Sequence, residues 1–130
     1  MNQQEITTLG ASLRQIDRKI LTTQTNEEVE KVWYQGGEPY FDLFVEWRGG
    51  TIDWCQLSLR GRLISWRSRC CQWKTGKTNE LCVDDVELYP ASKLIESDRK
   101  PDWAFLNLAK AILSTRAGEP IFDQILALFD

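Results

Sequence analysis

Histidine does not occur in this chain of 130 residues. That absence removes Ser-His-Asp and Cys-His catalysis, both of which need an imidazole to take the proton. Histidine-ligated zinc, facial-triad iron and histidine-ligated haem go with it, as does a switch driven by imidazole protonation. Long apolar runs are missing too. None approaches the ~20 residues that span a bilayer, so no membrane association is expected. The opening residues, Met1-Asn2-Gln3-Gln4-Glu5, lack the basic and apolar regions of a secretory signal, and the expected location is cytoplasmic. There is no internal repeat, low-complexity stretch or interdomain linker. Residues 1–130 read as a single globular domain long enough to bury one core.

Cysteine is present four times, as Cys55, Cys70, Cys71 and Cys82. Without an export signal, reduced thiols are expected, most of them packed as small apolar groups. Their spacing is not that of paired C-x-x-C knuckles, so no metal is expected, and no cofactor.

What the chain does have is tryptophan: six, at positions 33, 47, 54, 66, 73 and 103. Most fall in a segment, roughly residues 29 to 83, that reads as an antiparallel β-meander. Val29 to Tyr34, Tyr40 to Trp47, Thr51 to Leu59 and Arg62 to Arg69 are its first four strands. Gly36-Gly37, Gly49-Gly50 and Arg60-Gly61 separate them. A fifth strand and a sixth are expected within Cys71 to Val83, around a turn at Thr75-Gly76. Before the meander, Ile6, Leu9, Leu13, Ile16 and Ile20 recur at alternating spacings of three and four. That pattern predicts a helix over residues 3 to 22, with Asn2 and Glu5 as its capping pair. A polar break follows at Thr22 to Asn26. After the meander, Leu88 to Lys100 reads as a connector. Pro101 opens a helix with Trp103, Leu106, Ala109, Ile112 and Leu113 on its buried side. Gly118 ends it, and Pro120 opens a last short helix carrying Ile121, Phe122, Ile125, Leu128 and Phe129. Helices and strands are segregated. The expected class is therefore α+β: an N-terminal helix, a meander of five to six strands and two C-terminal helices.

Motifs that would carry chemistry are thin. Lys74-Thr75-Gly76-Lys77-Thr78 resembles the tail of a phosphate-binding loop, but Cys71 stands where that loop needs its first glycine, and both flanks read as strands. A hairpin turn with solvated lysines is expected there. Asp84, Asp85 and Glu87 cluster without a partner that would mark acid–base work, and Ser92-Lys93 is no dyad by adjacency alone. The reading leans away from an enzyme.

Charge is distributed unevenly. From Trp54 to Asn79 there are six basic residues and no acidic one, in a chain of net charge −3. Arg60, Arg62, Arg67, Arg69, Lys74 and Lys77, with tryptophans among them, could bind single-stranded nucleic acid. Strand alternation divides them between two faces, and the overall acidity counts against such a partner. Alternation also assigns Phe41, Leu43, Val45 and Trp47 to the core. It leaves Trp54, Trp66, Tyr40 and Phe44 among polar neighbours. The chain's own helices could cover this second face; left open, an aromatic and basic face around Trp54, Arg60, Arg62 and Trp66, with Tyr40 and Phe44, is the expected contact surface of a non-enzymatic module. That module would bind a protein partner or a second copy of itself. The basic segment 60–77 as a nucleic-acid module, and a small-ligand or enzyme site in the mouth of a curved sheet, are the alternatives.

Overall fold

The structure, a computed structural model, describes residues 2–22, 28–70, 72–78, 95–97 and 100–129. It is an α+β arrangement: α1 (Gln3–Ser12), β1 (Arg14–Thr22), β2 (Glu28–Gln35), β3 (Asp42–Arg48), β4 (Thr51–Leu59), β5 (Arg62–Arg67), β6 (Gln72–Thr78), β7 (Ile95–Ser97), α2 (Trp103–Ser114) and α3 (Pro120–Ala127). All strands form one antiparallel sheet in sequence order, with the three-residue β7 on the far edge of six longer strands. The expected connector from Leu88 and the polar break at Thr22 to Asn26 fall largely outside the described residues.

The N-terminal helix is half as long as its spacing predicts. Asn2 Oδ1 accepts from Glu5 N at 2.8 Å, so the cap forms as expected. The helix then stops at Ser12, and Leu13 turns extended with ψ 123°. Arg14–Thr22 is instead an edge strand paired with β2, with a register shift between Gln15 and Asp17. A second correction concerns Thr75-Gly76, which is no turn. It lies inside β6, with Thr75 opposite Ile64 and Gly76 opposite Leu63. The remaining part of the expected fifth and sixth strands, out to Val83, lies outside the described residues.

Hairpin chemistry fixes the register of the central strands. Arg60 and Gly61 have φ of 52° and 80°, the paired left-handed conformation of a two-residue loop whose twist matches that of the strands. Glycine tolerates this freely. Arg60, which does not, is held by Glu38: its Nε donates to Oε1 at 2.8 Å and its Nη2 to Oε2 at 3.2 Å.

One face of the sheet carries the core. Val32 and Tyr34, then Leu43, Val45 and Trp47, then Cys55, Leu57 and Leu59, then Ile64, are all buried there against the helices. Phe105, Leu106, Ala109, Ile112 and Leu113 of α2 and Phe122 and Ile125 of α3 supply the other side. Burying each such large side chain contributes about 1.5–3 kcal/mol. Two indole nitrogens carried inward find partners. Trp47 Nε1 donates to Gln124 Oε1 at 2.6 Å and Trp73 Nε1 to the Leu128 carbonyl at 3.1 Å. Trp73 also stacks on Phe129, 4.2 Å between centroids. Trp103 is not part of this layer; it is 67% exposed. It sits nine residues before Ile112, two and a half helical turns, and so on the opposite side of α2.

The helices are tied to each other by Arg116, just after α2. Its Nη1 donates to the Leu13 carbonyl at 2.6 Å and the Gly10 carbonyl at 3.0 Å, closing the C-terminal end of α1. Its Nε and Nη2 hold Glu119, and its guanidinium lies 4.8 Å from the Phe122 ring centroid. Gly10 allows this approach: a Cβ there would stand 1.8 Å from Thr115 Oγ1 and 2.8 Å from the Ile112 carbonyl oxygen.

Candidate functional site

The second face of the sheet faces away from the three helices. Register alone arranges it in three cross-strand rows. The outer row runs Lys31, Glu46, Trp54, Arg67, Gln72; the middle row Trp33, Phe44, Gln56, Ser65, Lys74; the inner row Gln35, Asp42, Ser58, Leu63, Gly76. Burial deepens across them. Lys31, Arg67 and Gln72 are exposed, while Asp42, Ser58, Leu63 and Gly76 are buried. We call this graded face, more exposed along its outer row and more buried along its inner one, the trough.

A bulge aims Trp54 into this trough. Opposite Glu46-Trp47, the partners are Trp54 and Ile52, so Asp53 is the extra residue. The insertion inverts strand parity. Ile52 joins Trp47 in the core, whereas Trp54, two residues on, points the other way. Asp53 is anchored by Ser68, whose N–H donates to its carbonyl at 3.0 Å and whose Oγ donates to Oδ1 at 2.6 Å.

Three aromatic rings stand side by side along the trough. Trp33 and Phe44 are 5.6 Å apart and 8° from parallel; Phe44 and Trp54 are 6.3 Å apart at 27°. Arg67 closes the series, its guanidinium carbon 5.6 Å from the Trp54 ring centroid. Trp33 Nε1 donates to buried Asp42 Oδ1 at 3.3 Å, fixing the first ring. Such contacts between neighbours on one face each contribute about 0.5–1.5 kcal/mol. They also use up the faces of Phe44 and Trp54 and leave the edges of those two rings to a visitor.

Beyond the rings the trough becomes a donor-rich recess of about 230 Å³, lined among others by Trp54, Gln56, Ser65, Arg67 and Lys74. Gln56 is 3% exposed, and its Nε2 has no hydrogen-bond partner among the described residues. No acidic side chain lines the recess among the described residues.

The expected contact residues are thus not one surface. Phe44 and Trp54 share the trough. Arg62 and Trp66 lie on the opposite, helix-covered face: Trp66 pairs with Cys55 and packs on the core, while Arg62 Nη2 is 2.6 Å from Asp102 Oδ2 and 5.5 Å above Phe105. Arg60 and Tyr40 are in turns, Tyr40 46% exposed with φ 62°. The basic set divides similarly. Arg67 and Lys74 reach the trough, Arg62 and Lys77 pair on the other face, Arg69 is exposed in the β5–β6 turn and Arg60 is bound to Glu38. Trp33, Gln56 and Ser65 went unnoticed. Only Gln56, two residues from Trp54 on the same strand, carried a signal in its parity; Trp33 and Ser65 are placed by pairing between strands.

Cys55 is buried in the core, and desolvation pushes its thiol up to about 12, so it is protonated at neutral pH. Cys70 is exposed at the rim of the recess. Cys71, Cys82, the acidic trio Asp84, Asp85 and Glu87, and Ser92-Lys93 lie outside the described residues. Among the described residues no cluster of Cys, Asp and Glu is gathered as a metal would require, and no helix is long and apolar enough to cross a membrane.

Compared with protein-family models, with curated proteins and with solved structures, the chain matches none.

Proposed function

We propose that this chain is a non-enzymatic binding domain that engages an acidic segment of a protein partner along the trough of its second sheet face. The observation that carries the reading is the division of that face: the rings of Trp33, Phe44 and Trp54 at one end, and at the other Arg67 and Lys74, which have no carboxylate partner among the described residues. Aromatic anchors beside unneutralised cations suit an acidic, partly apolar chain. Single-stranded nucleic acid suits the surface less well. Bases need ring faces to stack on, and Trp54 is flanked by Phe44 and Arg67.

Tryptophan fluorescence tests this with three probes: a glutamate-rich peptide containing leucine, its glutamine counterpart, and an oligouridylate, each at low and moderate salt. Saturable binding of the acidic peptide alone, weakened by Trp54→Leu and by Arg67→Gln, is expected. Preferential binding of the oligouridylate would replace the reading with the nucleic-acid one. A concentration-dependent dimer in light scattering, abolished by Trp54→Leu, would make a second copy the occupant instead of a separate partner.

A further inference from the structure

We infer that the recess beside Trp54 is a receptor for one carboxylate group, the head of a glutamate-like side chain; this deepens the binding role proposed above and rests on it. Four donors converge there from three adjacent strands. Gln56, Ser65 and Lys74 are directly opposite one another in the middle row, and Arg67 stands next to them in the outer row, opposite Trp54. These four groups are a primary amide, a hydroxyl, a guanidinium and an ammonium; Gln72, Thr75 and Cys70 also line the recess, and no acidic side chain does among the described residues. Arg and Lys offer donors only, and the amide and hydroxyl can turn a donor inward.

Gln56 is the decisive member. It is 97% buried by its 3% exposure, and its Nε2 lacks any partner among the described residues. Buried amides are ordinarily satisfied. An amide left unsatisfied on the floor of a cation-rimmed recess is a donor awaiting an acceptor, and the two cations specify a negative one. The shape narrows the choice further. At about 230 Å³ the recess falls below the ~300–1,000 Å³ of sites that enclose a drug-sized molecule. It suits a terminal group entering on a short stem. The planar fork of Arg67, held over the indole of Trp54, matches a planar carboxylate, and the ring edge is a wall for the methylenes behind it.

The experiment is a titration of ¹⁵N-labelled protein with glutarate, with acetate and, at matched ionic strength, with inorganic phosphate. Side-chain signals of Gln56, Trp54 and Arg67 are followed. Glutarate is expected to move all three saturably. Lys74→Met, a change at an exposed lysine, is expected to weaken glutarate roughly tenfold, the loss of one charge-assisted hydrogen bond. Gln56→Glu, which supplies the recess with its own carboxylate, is expected to abolish binding. No shift with glutarate or acetate in the wild-type protein overturns the inference. If the glutamate-rich peptide still binds, the domain reading survives without the recess. Stronger shifts with phosphate than with glutarate overturn the carboxylate assignment. Unchanged glutarate affinity in Lys74→Met overturns the geometry argued here, whether or not Gln56→Glu folds.

Discussion

Replacing Gln56 by methionine should stabilise the folded chain, against the usual direction of core substitutions. Gln56 is 3% exposed and its Nε2 has no partner among the described residues, so folding strips the amide of water and returns nothing. An unsatisfied buried donor costs about 1–3 kcal/mol. Methionine has the same unbranched length, fills the same space and carries no group that must be hydrated. The expected gain is about 1 kcal/mol, near the lower bound because the thioether will pack imperfectly beside Ser65 and Leu63. In urea the midpoint should rise by roughly 0.5 M with the slope unchanged, and the thermal midpoint by about 3–5 °C. The same variant should bind glutarate more weakly. A gain in stability coupled to a loss of binding is the signature of a group kept for a ligand. A fall in midpoint of comparable size, at constant slope, would show that Gln56 is already satisfied in the folded chain and would refute the reasoning.

Three other perturbations test the scaffold. Arg116→Ala removes the bonds to the Gly10 and Leu13 carbonyls and the stack on Phe122, and should cost about 3 kcal/mol in urea unfolding; Arg116→Lys, with no fork, should recover less than half of this. The same guanidinium holds the Glu119 carboxyl below the usual carboxylate range. That contribution is therefore present above the unfolded carboxylate pKa and lost as pH falls through the lower folded value, and Arg116→Ala should flatten the acid limb of the stability profile. Cys55, pushed up to about 12 by burial, should resist iodoacetamide at pH 8 while exposed Cys70 reacts; its stabilising effect is complete below the unfolded thiol pKa and is lost as pH rises through the folded value, a decline that Cys55→Val should remove. Gly10→Ala should destabilise by about 2 kcal/mol or more, because Thr115 and the Ile112 carbonyl occupy the space of its Cβ; an unchanged denaturation midpoint would mean that the α1–α2 contact is looser than described.

The segregation of helices and strands was legible because strand alternation and Gly-bearing turns are local signals. Leu43, Val45 and Trp47, or Cys55, Leu57 and Leu59, announce a buried face without help from the rest of the chain. The helix that was overextended shows where such signals fail. Ile16 and Ile20 are four residues apart, a spacing that fits a helical stripe and one face of a strand equally well. Pairing with β2 decides between them, and pairing is not local. Thr75-Gly76 misled for a related reason: glycine marks turns more often than strand interiors, and its place opposite Leu63 is set by β5. The candidate site was half legible. Parity placed Phe44 and Trp54 together, but Trp66 was put beside them when its partner Cys55 carries it to the core side. Parity within one strand does not say which face of the next strand it matches. Ile52 did hold a clue. An apolar residue in step with Trp54 and Gln56 but buried with Trp47 requires an inserted residue between, and Asp53 is that residue.

The core-facing side of the sheet is made by residues 32 to 64, and most of its cover by residues 103 to 129, with Leu9 and Leu13 adding the rest. A ribosome working at about 5–20 residues per second needs roughly 2–8 s to add the intervening stretch. Through that interval the growing chain carries a wide greasy surface with only the short first helix to set against it. That helix lacks its clamp for the same interval, because the donor to the Gly10 and Leu13 carbonyls is residue 116. Synthesis of this chain therefore passes through seconds of vulnerability that the finished molecule does not show, and the speed of translation between the last long strand and α2 is a quantity its yield should depend on.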